Sequence, residues 1–154
     1  MSVITLSSLK FVSAEALAKT LLAASAGAGG ERVAVVDVRD DDHIGGHIRG
    51  SLHFPSRSLD ATMPTLLRKL DDADTVVFHC ALSQQRGPGA ALRYLREKEA
   101  AAAATAPAAG TGGPGKKAQT VLVLDRGFVG WQELYGSDER LTEGYRKEIW
   151  ENGY

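Results

Sequence analysis

A single cysteine, Cys80, is followed six positions later by Arg86 within the stretch "FHCALSQQRGPG". A thiol is a nucleophile in its anionic form, and a guanidinium presents a planar fork of donors matched to two oxygens of a tetrahedral oxyanion. Five residues, Ala81, Leu82, Ser83, Gln84 and Gln85, separate the two. A loop that short, running into a helix, can turn its backbone N–H groups towards one point, and the positive end of the helix reinforces the same field. That field favours a thiolate over a thiol. Nucleophile, anion cradle and clamp therefore arise from one turn of chain, with Cys80 and Arg86 as the catalytic pair and the five intervening residues as the oxyanion-binding loop. His79 is a candidate support through the hydrogen-bond network around the sulfur, or a structural histidine. Asp37 is a second candidate, either as the proton donor that the loop lacks or as the anchor of the loop that follows it.

Such a cradle has to sit at the carboxyl end of a buried strand, where open α/β sheets bind ligands. The surrounding elements supply that position. Residues 75–79, "TVVFH", read as a buried strand and Pro88–Glu99 as the next helix. Further strands are expected at Arg32–Val38, Leu52–Phe54 and Thr120–Asp125, with an edge piece at Val3–Leu6. Helices are expected at Ala14–Ala24 with Ser13 as N-cap, at Met63–Leu70, and through "FVGWQELYG" up to Gly136. Strands alternating with helices predict a mostly parallel sheet with helices on both faces. Phe128 and Trp131 belong to the core of that last helix. Asp138–Trp150 carries Leu141, Tyr145, Ile149 and Trp150 at spacings near three and four, so 137–154 is expected to be a helical tail packed on the domain, with a partner chain as the alternative surface for it.

The bulk composition narrows the function. The chain of 154 residues is the size of one domain, 1–154, with 44% hydrophobic and 24% charged residues, as in ordinary globular proteins. A formal net charge of -1 points to no nucleic-acid partner and no anionic membrane surface, so any anion site must be local. One cysteine allows neither an internal disulfide nor a cysteine-rich zinc site. His43 and His47 have the spacing of a zinc pair on a helix, but "IGG" between them is poor helix material, and they read as loop structure with no metal. "GTGGPGKK", 110–117, nearly fits a nucleotide-binding loop, yet it follows an alanine tract, precedes a strand and ends in lysine, so it is not read as one. Residues 100–117 are expected to be a disordered low-complexity insert, its leading alanines able to extend the preceding helix by a turn. Neither a secretion signal nor a membrane-spanning run is visible, and a reducing compartment is expected: the cytoplasm, with the nucleus as a second location.

Three blocks carry a family resemblance. "HCALSQQR" is similar to the His-Cys-x5-Arg signature of cysteine-dependent phosphatases, and with "RGP" it resembles the M-phase inducer phosphatases and the eukaryotic arsenate reductases, both of the rhodanese-like superfamily. "VVDVRDDDHIGGHIRGSLHFPS", 35–56, resembles that superfamily's Asp-x-Arg and Gly-His-Ile-x-Gly blocks, and "LDRGFVGW" resembles its glycine-plus-tryptophan segment. The resemblance implies a single rhodanese-like domain built on a central five-stranded sheet. Sulfurtransferases of the superfamily have a loop one residue shorter, so the five-residue loop implies phosphate or arsenate chemistry. Compared with the M-phase inducer phosphatases, Gln85 stands where they have an acid and no second, protective cysteine is present. Gly87 stands where typical tyrosine phosphatases have Ser or Thr. A single catalytic cysteine suits arsenate reduction, in which glutathione and glutaredoxin supply the resolving thiol and no cofactor is bound. The expected function is arsenate reductase with accompanying phosphatase activity. The alternatives are a tyrosine or dual-specificity phosphatase acting on a phosphoprotein, a thiosulfate sulfurtransferase, and a phospho-binding module without turnover.

Overall fold

The computed structural model describes residues 5–25, 32–105 and 119–151. A 3-10 turn at Leu6–Ser8 precedes β1 (Lys10–Val12) and α1 (Ala14–Ser25). The chain continues through β2 (Val33–Asp37), β3 (His47–Ile48), β4 (Leu52–His53), α2 (Leu59–Lys69), β5 (Thr75–His79), α3 (Arg86–Thr105), β6 (Thr120–Leu124), α4 (Gly127–Tyr135), β7 (Thr142–Glu143) and α5 (Lys147–Glu151). Five strands form one sheet in the order β1-β6-β5-β2-β4, and every neighbouring pair is parallel. The domain is α/β with β5 at its centre, as the alternation of strands and helices requires.

The pleat sorts side chains into two cores. Val36 on β2, Val76 and Phe78 on β5 and Val123 on β6 pack with Met63 and Leu66 of α2, with Leu70 at its C-cap and with Ala90, Ala91 and Tyr94 of α3. The alternate residues Val35, Val77 and Leu124 pack with Ala14, Leu17 and Ala18 of α1 and with Phe128 and Trp131 of α4. Each face is thus covered by one pair of helices. Ser13 caps α1 as its sequence predicts, its Oγ accepting the Ala16 N–H at 3.1 Å.

Several boundaries differ from expectation. The first described strand is Lys10–Val12 rather than Val3–Leu6; Leu6 lies in a 3-10 turn, and Val3 and Ile4 fall outside the described residues. The helix expected from Met63 starts at Leu59 and accommodates Pro64 in its interior, where a lost N–H ordinarily argues against a helix. The alanines do extend helix α3, as allowed for, and carry it to Thr105; the remainder of that insert, with "GTGGPGKK", falls outside the described residues.

The largest correction concerns the tail. Asp138–Trp150 is not one helix: only Lys147–Glu151 is helical. Leu141 is buried and Thr142–Glu143 pairs antiparallel with His47–Ile48, a second sheet that the two-residue strands hide from pattern reading. Tertiary bonds hold that conformation. The Trp131 indole N–H donates to Thr142 Oγ1 at 2.9 Å, and that hydroxyl donates to the Tyr135 carbonyl at 2.7 Å. Trp150 then packs 5.5 Å from Phe128 and donates its indole N–H to the Gly45 carbonyl at 2.9 Å. The tail therefore closes over the loop after β2 instead of forming a separate helix.

Candidate active site at the ends of the central strands

The register of β2 with β5 places Asp37 opposite His79, so the loops that leave the two strands lie side by side. Cys80 continues the pleat of β5 onto the face of Val76 and Phe78, against α3, and is 3% exposed. The sulfur lies beneath the main chain of its own loop: the Ser83 N–H donates to Sγ at 3.2 Å and the Gly87 N–H at 3.3 Å. Two donors aimed at one sulfur can hold a negative charge there. The amides of Ala81, Leu82, Gln84 and Gln85 make no hydrogen bond among the described residues, which leaves the loop with donors to spare. Leu82, Gln84 and Gln85 are exposed, whereas Ser83 is buried with a hydroxyl that has no partner among those residues. Ser83 also adopts φ 56°, a left-handed conformation that a non-glycine residue holds only when its surroundings enforce it.

Two glycines allow the loop to sit where it does. A Cβ on Gly87 would approach the Cα of His79 to 3.2 Å and the amide nitrogen of Cys80 to 3.3 Å, so the residue after the arginine has to be small for α3 to start against the end of β5. Gly127 has φ +55°, and a Cβ there would fall 2.5 Å from the carbonyl oxygens of both Cys80 and Ala81. That close approach lets the first amides of α4 hold the loop from behind: Phe128 N–H donates to the Cys80 carbonyl at 3.0 Å and Val129 N–H to the Ala81 carbonyl at 2.9 Å. "DRGF" is therefore the brace of the cysteine loop, which is why its glycine matters.

Neither the His79 nor the Asp37 side chain hydrogen-bonds the sulfur. Being one residue out of phase with Cys80, the fully buried His79 faces α4, where its ring lies 6.3 Å from that of Phe128 and its Nδ1 donates to the Cys80 carbonyl at 3.1 Å. Burial pushes the imidazole below its ordinary pKa, against the attraction of Asp37. Asp37 is equally buried. Burial raises the energy of its charge, yet the opposing effects of His79 and of the Arg39 fork hold its carboxyl below the usual range. Arg39 donates Nε to both carboxylate oxygens at 3.0 Å and Nη2 to Oδ2 at 2.7 Å, and its backbone N–H donates to Oδ1 at 3.0 Å. A carboxylate so fully used is an anchor rather than a proton donor. Arg39 itself is completely buried, sits 4.3 Å above the Phe128 ring and donates to the Gly46 carbonyl at 2.8 Å, which organises the whole loop.

Arg86, the first residue of α3, is partly exposed and grips two carboxylates from that neighbouring loop. Its Nη1 and Nη2 donate to Asp42 Oδ1 and Oδ2 at 2.8 and 2.6 Å, and Nη1 also donates to Asp40 Oδ2 at 3.3 Å. Asp42 in turn is held down to about 2, first by these hydrogen bonds and against partial burial, while Arg86 moves upward. Asp40 also lies below its ordinary range: burial opposes the charge, but Ser56 Oγ at 2.6 Å, the Arg57 amide at 2.9 Å and Arg86 outweigh it. Asp40, Asp42 and Ser56 were not singled out in the sequence. The acidic run "RDDD" directly after a strand next to the cysteine strand was the available signal. His43 stacks on His53 at 3.7 Å between ring centroids and on His47 at 5.7 Å, and among the described residues no group of histidine, cysteine and carboxylate side chains is arranged to hold a metal.

The site is thus a parallel α/β sheet whose central strand leads into a cysteine, a five-residue loop and an arginine at a helix start. The chain belongs to the rhodanese-like domain family, which it matches over residues 19–134. It is 46% identical over 105 residues to arsenate reductase 2.1 of Oryza sativa subsp. japonica, a match over 66% of this chain and 57% of that protein. It is 42% identical over 104 residues to the dual specificity phosphatase Cdc25 of Arabidopsis thaliana, over 65% of this chain and 62% of the relative. The chain thus spans about three fifths of the length of these two relatives. The crystal structure of Saccharomyces cerevisiae Ygr203w, described as a homolog of single-domain rhodanese and Cdc25 phosphatase catalytic domain, superimposes with a TM-score of 0.73 at 31% identity, covering 97% of each chain. Among the described residues no helix is long and apolar enough to cross a membrane.

Proposed function

We propose that this chain is a cysteine-dependent oxyanion enzyme, an arsenate reductase that draws on glutathione and glutaredoxin and also hydrolyses activated phosphate esters. The observation that carries the reading is the cysteine loop itself: two amides on Sγ, four unengaged amides around it and Arg86 at the end of the loop. The names of the rice and Arabidopsis relatives support the same two activities. In this mechanism the Cys80 thiolate attacks the arsenic(V) of dihydrogen arsenate while the loop amides and Arg86 hold the oxygens. The S–As bond forms as one As–OH bond breaks, and the departing hydroxide takes the proton of the other hydroxyl and leaves as water. Glutathione then forms a disulfide with Cys80 sulfur as arsenic accepts two electrons and departs as arsenite, and glutaredoxin reduces the disulfide. One cysteine suffices because the second thiol is external.

The surroundings of the loop favour this order of activities. Hydrolysis of an alkyl phosphate needs an acid to protonate the leaving alkoxide. Asp37 is consumed by Arg39, Asp40 and Asp42 are held as anions by Arg86 and their other donors, and residue 85 is glutamine. Arsenate brings its own protonated oxygen, and p-nitrophenolate leaves without help, so both should turn over where phosphoserine does not. Wild-type protein and Cys80→Ser are to be compared on p-nitrophenyl phosphate and on arsenate with glutathione and glutaredoxin. Activity confined to the wild type supports the reading, and activity retained by the serine variant would sink it. A thiosulfate-to-cyanide assay tests the sulfurtransferase alternative, and turnover there with none on arsenate would replace the present assignment.

A further inference from the structure

The two carboxylates on Arg86 divide the guanidinium into a used edge and a free one. Asp42 takes Nη1 and Nη2 end-on, and Asp40 takes the second Nη1 proton. The Nε proton and the second Nη2 proton, which share the lateral edge of the planar fork, have no partner among the described residues. That edge retains the bidentate geometry suited to two oxyanion oxygens. We infer that Asp42, braced by Asp40, is a positioning residue that holds Arg86 by one edge so that the other is presented to the oxyanion; this rests on the oxyanion reading above.

Two alternatives have to be weighed against this. Asp42 could be an internal competitor that occupies the clamp until substrate displaces it. The carboxylates are themselves too well fixed for that part. Asp42 Oδ1 also accepts the Asp40 amide at 2.9 Å, and Asp40 accepts Ser56 Oγ and the Arg57 amide, so the pair forms a rigid post on the β2 loop. That loop is anchored in turn by buried Arg39 and by the bond from Trp150 to Gly45. Alternatively the contact could be only a surface ion pair, worth little to stability. A surface pair would leave catalysis unchanged. An unheld arginine samples many rotamers and loses that freedom on binding, and misplacement by about 1 Å can lower a rate on the order of 100-fold.

The test is a double-mutant cycle of wild type, Asp42→Asn, Arg86→Ala and the pair, read by kcat and KM on p-nitrophenyl phosphate and by calorimetric binding of orthovanadate and of phosphate. Asp42→Asn should lower kcat by about 10- to 100-fold. It should weaken orthovanadate, which resembles the transition state, more than phosphate, and leave the melting temperature nearly unchanged. In the Arg86→Ala background the same substitution should change neither kcat nor binding by more than about twofold, because its effect runs through Arg86. Tighter oxyanion binding with higher kcat/KM in Asp42→Asn would show a competitor and overturn the inference. So would an undiminished effect in the Arg86→Ala background. A wild type that binds orthovanadate but turns nothing over removes the enzymatic reading while the binding cycle still decides the role of Asp42. A wild type that binds no oxyanion overturns both.

Discussion

The two loops that leave β2 and β5 start from paired residues, Asp37 and His79, and carry one arginine each, yet the two arginines are used in opposite ways. In the β2 loop Arg39 is fully buried and its donors go to Asp37 and to main-chain carbonyls, so the arginine is spent within its own loop. In the β5 loop four amides are unengaged, a serine hydroxyl is buried without a partner and Ser83 is held at positive φ. A buried hydroxyl without a partner and a non-glycine residue at positive φ both cost stability, and such features cluster at ligand sites. On the proposed oxyanion reading this difference makes the β2 loop the scaffold and the β5 loop the receptor, with Arg86 fastened to the scaffold by Asp42 and Asp40.

The comparison breaks most sharply at the nucleophile. Cys80→Ser should lower turnover by at least about 1000-fold with stability little changed, as measured by initial rates and urea unfolding. Exchanging the roles of the two arginines comes next. Arg39→Ala should destabilise the fold by about 3–5 kcal/mol, because Asp37 is left as an unpaired buried charge. Arg86→Ala should leave the urea midpoint close to wild type and remove most of the activity. Loss of stability from the Arg86 variant, or a normally stable Arg39 variant, would erase the distinction between scaffold and receptor. Gly127→Ala is a smaller perturbation, about 1–3 kcal/mol, since its Cβ would collide with the carbonyls of Cys80 and Ala81. It should reduce activity as well, by moving α4 off the back of the receptor loop.

The mildest effect is a pH dependence of stability confined to the scaffold. Burial, foremost, pushes His43 from 6.5 down to about 4, with the attraction of Asp37 opposing it. The unfolded chain then binds more protons than the folded one between those values, so stability rises with pH through that window and falls on acidification from 6.5 towards 4. Asp42, held down to about 2, adds a loss in the same direction only below its ordinary value of 3.8. Thermal melts across pH 4 to 7 should show the first slope in wild type, and His43→Gln should flatten it. An unchanged slope in that variant would assign the effect to buried His79, which shifts the same way.

Most of the secondary structure could be read from patterning, and the failures have a common cause. Residues 75–79 and 120–124 were legible because a buried parallel strand needs a continuous β-branched run, and α3 because its loop and glycine announce it. The tail was misread because Leu141 and Trp150 satisfy a helical spacing while their actual partners, Phe128 and the β3 strand, lie far away in sequence. Of the candidate site, Cys80 and Arg86 stand out through their spacing, whereas Asp40, Asp42 and Ser56 are hidden in a charged stretch that equally suits a solvated loop.

Local order determined a great deal on its own. The five-residue interval from Cys80 to Arg86, the glycine needed beside the end of β5 and the alternation of strand and helix are all properties of neighbouring residues, and short-range geometry enforces them. What tertiary structure alone decided is which way each of these groups is served. The pleat turns His79 away from the sulfur, and the register of β2 against β5 brings Asp42 from 44 positions away onto Arg86. Such pairings depend on strand order and loop closure, and no pattern within a single segment encodes them.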